Sequence, residues 1–148
     1  AGVTLPTKNI AAFRMRVNEY FASLDLRPQQ PLLLPHADVT IEDFSEINES
    51  LIEALATMEP FGSGNPELIL RASHLLVVGA RTMGAEGQHI KLRVQDSQSG
   101  TLELLAFSAP KEWFVEVGEY VDVWFQPTLN EWQGRRTVEG RLLHLETT

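Results

Sequence analysis

The sequence predicts an α+β protein in which helices come first and strands follow. In the first 58 residues, apolar side chains recur at spacings of three and four, which is typical of amphipathic helices. Beyond residue 67 they alternate with polar side chains, which is typical of half-buried strands. Two prolines and two glycines lie between the patterns, in residues 60–66, and a helix cannot continue through them. We therefore expect three segments, residues 1–25, 26–67 and 68–148.

Two helices are expected before residue 60. The first runs from about Lys8 to Leu24. The second begins after Ser45, a candidate N-cap residue, and its apolar face holds Ile47, Leu51, Leu55 and Met58. The stretch between the helices contains three prolines and is expected to be extended, with short strands near residues 32–34 and 39–41.

Five strands are expected in the last segment: residues 73–80, 89–96, 101–108, 119–126 and 137–146. One or two helical turns at residues 110–115 separate the third strand from the fourth. Residues 81–88 and 127–135 are expected to be loops, and Gly140 is a candidate β-bulge. Three strands, a helix and two strands is the order of elements of an OB-fold, a five-stranded β-barrel.

The composition excludes several kinds of site. The 148 residues contain no Cys, so disulfides and cysteine metal sites are absent. No apolar run approaches the roughly 20 residues that span a bilayer, and no signal-peptide pattern begins the chain. We expect a cytoplasmic protein without a membrane partner. The histidines lack metal-ligand spacing and no catalytic motif occurs, so we expect no catalytic residue, metal or cofactor in this chain.

The negative charge of the chain is concentrated in its middle. The net charge is −8, and eight carboxylates but no Lys or Arg lie between Arg27 and Arg71. Such a stretch repels a phosphate backbone. Two interpretations remain open: a solvated helix face, which is the usual role of a charge run, and an acidic surface that faces a basic partner domain.

A smaller group of basic and aromatic residues falls where OB-folds bind nucleic acids, on the second and third strands and on the loops beside them. Alternation predicts that Glu103 and Leu105 point outward on the third strand, beside the residues proposed here. The candidate nucleic-acid-binding residues are Arg81, His89, Lys91, Arg93, Phe107, Trp132, Arg135 and Arg136. Phe107 and Trp132 have packing as an equal alternative, since aromatic side chains are mostly buried.

The stretch at residues 59–67, EPFGSGNPE, resembles the PFG-x-GNPE signature of the RecJ family of single-stranded-DNA-specific exonucleases, which are DHH phosphoesterases. Ala1-Gly2 resembles the end of the GGH-x-x-AAG motif in the family's DHHA1 domain. Residues 130–134, NEWQG, resemble a NEW-x-G turn found late in these proteins. Leu68 departs from the family, which usually has proline there. The resemblance covers nearly the whole chain.

The resemblance implies a fragment from the C-terminal region of such an enzyme: the tail of DHHA1, a connector and an OB-fold. It implies a 5′→3′ exonuclease that acts in DNA repair and recombination, with Mn²⁺ or Mg²⁺ in the full-length enzyme. The leading hypothesis is a module that binds single-stranded DNA and delivers it to the missing DHH and DHHA1 catalytic domains.

The alternative hypothesis is a docking module that contacts those domains or single-stranded-DNA-binding protein. Its contact surface would combine the acidic stretch with residues 59–67, called the signature loop below. We expect this loop to be an ordered turn. Its defining residues are Pro60, Phe61, Gly62, Gly64, Asn65 and Pro66.

Overall fold

The computed structural model describes residues 3–23 and 36–148, and the chain divides into two compact units, residues 1–34 and 35–148. In the first unit, a 3-10 turn at Thr7–Asn9 leads into helix α1, Ile10–Ser23. These bounds agree with the first predicted helix. The short strand predicted at residues 32–34 and the Ala1-Gly2 motif lie outside the described residues.

The second unit contains one α-helix, two 3-10 turns and six strands among its described residues. In chain order the elements are β1 (Val39–Thr40), a 3-10 turn (Phe44–Glu46), α2 (Glu49–Ala56), β2 (Leu70–Met83), β3 (His89–Gln95), β4 (Thr101–Ala106), a 3-10 turn (Lys111–Trp113), β5 (Tyr120–Trp132) and β6 (Arg135–Thr147). The mixture of a sheet with few helices confirms the predicted α+β class.

The six strands form one sheet in the order β1-β2-β3-β4-β6-β5, and β2 also pairs with β5. The sheet therefore closes on itself, an arrangement consistent with an OB-fold. The β1–β2 and β4–β6 pairs are parallel, and the other pairs are antiparallel. The added strand is β1, in which Val39 lies opposite Leu70.

Two segments predicted as loops are largely strand. Strand β2 continues to Met83, and β5 continues to Trp132 with only two residues between it and β6. Pairing with a neighbouring strand supplies backbone hydrogen bonds that the local composition does not reveal. The helix predicted at residues 110–115 is also shorter, because only the 3-10 turn Lys111–Trp113 forms there.

The start of α2 also differs from the sequence prediction. Asn48 is its N-cap residue, and the Asn48 side chain accepts a hydrogen bond from the Leu51 amide at 3.1 Å. Ser45 instead lies in the preceding 3-10 turn and donates its amide to Asp43 at 2.7 Å. Ile47 therefore precedes the helix and is buried in the core.

The core fills the closed sheet with the inward-pointing side chains of all five long strands. Its largest fully buried members are Phe125, Leu70, Ile90, Leu92, Leu104, Val77, Val94, Val121 and Val123. Asp96, after β3, attaches the segment before α2 to the β3–β4 turn. Its carboxylate accepts hydrogen bonds from the amides of Phe44 at 2.7 Å and Gly100 at 2.7 Å.

Gly140 allows close packing of the core and is not a β-bulge. It pairs with Leu104 on one side and with Pro127 on the other, while the irregularity of β5 and β6 lies between Trp124 and Phe125. A Cβ atom at Gly140 would lie 2.5 Å from Leu104 Cδ2 and 2.8 Å from Phe125 Cδ2. The strands at this position can approach only because the side chain is missing.

Gly140→Ala is expected to lower the free energy of unfolding by about 1–3 kcal/mol, the usual cost of an extra carbon in a packed core. Urea denaturation measures the change. Gly64→Ala is the matched control, because a Cβ there would meet nothing within 4 Å, and its effect should stay within about 0.5 kcal/mol. Equal effects of the two substitutions would contradict the close packing at Gly140.

Asp122 on β5 is a buried carboxylate that holds two parts of β2. It accepts hydrogen bonds from the His74 amide at 2.8 Å and the Arg71 guanidinium at 2.7 Å. Burial raises the pKa of this carboxyl, but the hydrogen bonds from His74, Arg71 and Ser73 and the charge of Arg71 outweigh it, so the pKa lies below its ordinary value. The ionised form is therefore the one that stabilises the fold.

Asp122→Asn is expected to lower stability at neutral pH by about 1–3 kcal/mol, because the charged hydrogen bond to Arg71 is lost. A carboxyl group whose pKa is lowered by folding stabilises the fold at pH values above its unfolded-state pKa of about 3.9. This contribution disappears as the pH falls through the pKa of the folded state. The difference between the variant and the original chain should therefore shrink in acid. Urea denaturation at a series of pH values tests this, and a constant difference would contradict it.

Candidate nucleic-acid interface

The candidate interface is the outer face of β2, β3, β4, β6 and β5, which is the side opposite the core. Strand alternation buries Ile90, Leu92 and Val94 of β3 and leaves the residues between them on the outer face. Arg93 lies opposite Glu103, and Glu103 lies opposite Glu139. These three residues form a row across the middle of the face.

Lys91 is engaged by two carboxylates on this face. Its Nζ atom forms ion pairs with Glu103 and with Glu139, the latter at 2.9 Å, and only 15% of its side chain is exposed. Burial lowers the pKa of the Lys91 ammonium, but the two carboxylates outweigh that effect and raise it. One cation faces two anions, so this centre is not itself basic.

Arg81 and Arg93 supply the available positive charge. Together with Gly79, Lys91 and Glu103, they line a shallow groove of about 250 Å³ on the outer face. Arg81 belongs to β2, opposite Lys91, and not to a loop as predicted. Neither arginine forms an ion pair with a described residue. Their guanidinium groups can therefore contact phosphate without first losing a partner.

One end of the outer face carries Phe107, which follows β4 and is 66% exposed. The His89 ring contacts it edge to face, with ring centroids 5.3 Å apart. His89 Nδ1 accepts a hydrogen bond from the Ser108 amide at 2.9 Å, which fixes the orientation of the ring. Phe107 therefore presents an exposed aromatic ring at this end of the face, with the His89 ring inclined to it by 66°.

The other end carries Trp132, which is 71% exposed. It lies opposite Arg135 at the tip of the β5–β6 hairpin, where Gln133 and Gly134 both have positive φ. Alternation sends the next residue, Arg136, to the opposite face. There it forms ion pairs with Glu49 of α2 at 2.9 Å and Glu53 at 3.4 Å.

The register separates these features along the face. Strands β4 and β6 are parallel, with Glu103 opposite Glu139. Phe107 comes four residues after Glu103, and Arg135 comes four residues before Glu139. At about 3.3 Å per residue, each aromatic end lies roughly 13 Å from the middle row. Along the strand direction, the face therefore has an exposed aromatic side chain toward each end. The groove lined by Arg81 and Arg93 lies at an intermediate level, on β2 and β3. This arrangement is called the outer track below.

The candidate site residues thus fall into four places. Arg81, Lys91 and Arg93 share the groove, His89 contacts Phe107, Trp132 pairs with Arg135, and Arg136 lies elsewhere. Glu139 was not recognised from the sequence. The alternation of β6 predicts that Glu139 points away from the core. Its proximity to Lys91, however, depends on the parallel β4–β6 pair, which joins residues far apart in the chain.

A metal site would need several ligand side chains close together. Within residues 3–23 and 36–148, no group of three or more His, Asp or Glu side chains could hold a metal ion. The ion pairs nearest to such an arrangement are His36 with Asp38 at 3.7 Å and His144 with Glu146 at 3.6 Å. Among the described helices, none is long and apolar enough to cross a membrane.

The closed sheet and its outer track define an OB-type module, and the comparisons with known proteins identify its family. The family model described as the RecJ OB domain matches residues 38–144. This chain therefore belongs to the RecJ OB domain family. No curated protein matches it.

Two solved structures are similar to this chain, both of RecJ from Thermus thermophilus. The complex with Mg²⁺ has 22% identity and a TM-score of 0.66, and the match covers 96% of this chain and 21% of that one. The complex with Mn²⁺ has 24% identity and a TM-score of 0.67, with 98% and 20% covered. This chain thus spans about a fifth of the length of those proteins.

Lys91→Met is expected to destabilise the chain by about 2–4 kcal/mol at neutral pH, because Glu103 and Glu139 then face each other without a cation. Urea denaturation measures the loss, and adding Glu103→Gln should restore part of it. Arg93→Met is the control, since Arg93 has no described ion-pair partner. If both substitutions cost the same, Lys91 is not held by the two carboxylates.

Proposed function

We propose that this chain is the single-stranded-DNA-binding OB module of a RecJ-like 5′→3′ exonuclease that acts in DNA repair and recombination in the cytoplasm. The observation that carries the proposal is the outer track, with Phe107 and Trp132 exposed at its ends. Large aromatic side chains are usually buried. Exposed on a sheet face, they provide surfaces on which unpaired bases stack.

Stacking supplies most of the affinity in this proposal. Each base stacked on an aromatic ring contributes about 1–3 kcal/mol. The net charge of −8 disfavours nucleic acid at long range, but physiological salt screens charges beyond roughly 8 Å. Bases in a duplex are already stacked on one another, so the aromatic ends favour a single strand.

The arginines contribute phosphate contacts between the aromatic ends. Arg81 and Arg93 line the groove, and Arg135 lies beside Trp132. Lys91 acts mainly by neutralising Glu103 and Glu139, which would otherwise repel the phosphates. Arg136 does not contact DNA in this proposal, because it forms ion pairs with Glu49 and Glu53 of α2.

The module performs no cleavage in this proposal. It holds the strand and delivers it to the DHH and DHHA1 catalytic domains that the family resemblance implies. The metal ions of the reaction belong to those domains. The RecJ structures from Thermus thermophilus were solved with Mg²⁺ and Mn²⁺, whereas the described residues of this chain offer no metal-binding cluster.

A titration of the chain with a fluorescently labelled thymidine oligonucleotide, followed by anisotropy, tests the proposal. Trp132→Ala and Phe107→Ala should each weaken binding roughly 5- to 150-fold, the equivalent of one lost stacking contact. Three phosphate contacts predict that log K falls against log salt with a slope of about −2, and Arg93→Ala should make it shallower by about 0.7.

Arg16→Ala is the matched control, because Arg16 is an exposed arginine of α1 in the other unit. Its affinity and salt slope should equal those of the original chain. Binding that survives both aromatic substitutions, or that Arg16→Ala weakens as much as Arg93→Ala, would refute the outer track as the binding site.

A further inference from the structure

The signature loop forms one wall of an apolar groove that the outer track does not use. The groove has a volume of about 430 Å³ and lies between α2, the loop and the middle of β5. Its apolar lining includes Leu55, Met58, Phe61, Pro66 and Pro127. Met58 is 52% exposed, so the groove opens to solvent.

Hydrogen bonds hold the loop in the shape that forms this wall. The Asn65 side-chain amide donates to the carbonyl of Met58 at 2.7 Å and to that of Pro60 at 3.2 Å. Gly62 and Asn65 exchange two backbone hydrogen bonds, at 2.8 and 3.0 Å. The loop is therefore folded back on the end of α2, with Phe61 and Pro66 beside the helix residues of the groove.

The rim of the groove is acidic. Asp38, Glu59 and Glu67 line it, and no Lys or Arg is among the described residues of its lining. Arg141, outside the lining, places its guanidinium 3.5 Å from Glu67. Carboxylates repel phosphate, so the groove disfavours nucleic acid. An apolar floor with a negative rim instead complements a cationic, apolar ligand.

We propose that this groove docks a protein segment in which a large apolar side chain is flanked by Lys or Arg. The apolar side chain fills the space beside Phe61 and Leu55, and a flanking cation pairs with Glu59, because Glu67 already pairs with Arg141. A volume of this size is typical of pockets that enclose a ligand group. The site is separate from the outer track and stands whether or not that track binds DNA.

The test uses the ¹⁵N-labelled chain and two synthetic peptides, followed by amide chemical shifts. One peptide carries Leu and Phe between pairs of Lys, and the other has Glu in place of every Lys. The Lys peptide should give saturable shift changes in residues 52–68. The Glu peptide should bind about tenfold more weakly or not at all, because its charge opposes that of the rim.

Charge reversal at the rim locates the site. Glu59→Lys should weaken binding of the Lys peptide about fivefold, which corresponds to the upper range for the energy of one exposed ion pair. Glu112→Lys is the control, since Glu112 is also an exposed carboxylate but lies in the 3-10 turn before β5. It should leave the affinity unchanged, and Met58→Gln should weaken binding without altering the fold, because Met58 is exposed.

Three results would overturn the inference: no saturable change up to about 1 mM Lys peptide, equal affinity for the two peptides, or shift changes centred on the outer track. Titration with the thymidine oligonucleotide in the absence of peptide separates this proposal from the proposed function. Oligonucleotide-induced shift changes outside residues 52–68 support two sites, whereas changes centred on those residues would refute the groove as a separate one.

Discussion

The parallel pairing of β4 with β6 is the constraint on which the rest of the structure depends. It completes the closed sheet, and it requires Gly140, because a side chain there would collide with Leu104 and Phe125. The same register sets Glu139 beside Glu103, so that Lys91 can neutralise both. It also places Phe107 and the β5–β6 hairpin tip toward opposite ends of the outer face.

Charge is sorted between two sides of the second unit by the same alternation. Arg135 and Arg136 are neighbours in the chain, yet one lies with Trp132 and the other pairs with the carboxylates of α2. The acidic stretch is thus partly neutralised by the sheet on which it packs. Three other carboxylates of the stretch, Asp38, Glu59 and Glu67, line the apolar groove. Arg81 and Arg93, which have no described ion-pair partner, line the groove of the outer face.

The sequence predicted the strand faces well because alternation is a local signal. Ile90, Leu92 and Val94 are buried as expected, and Arg93 between them is exposed. The α+β class and the RecJ resemblance are likewise confirmed. The predicted N-cap of α2 was wrong because Ser45 and Asn48 are both favourable N-cap residues. Only the structure shows that the Asn48 side chain is the one that reaches an amide of the helix, that of Leu51.

The arrangement of the candidate interface was less predictable because it depends on pairings between distant residues. The partners of Lys91 include Glu139, 48 residues away, and no local pattern announces that contact. The long β5–β6 hairpin was missed since its polar residues resemble a loop, although they pair in register up to Trp132 and Arg135. The involvement of individual side chains in nucleic-acid binding stays a prediction.

The chain contains three tryptophans, and their indole N–H signals provide the most direct test of the central claim, that the outer track binds single-stranded DNA. Trp132 is on the track, whereas Trp124 is buried at 3% exposure and Trp113 packs against the core. In a titration of the ¹⁵N-labelled chain with a thymidine oligonucleotide, the Trp132 indole signal should shift and saturate while the other two stay in place. Saturable binding that leaves the Trp132 signal unchanged would contradict the account.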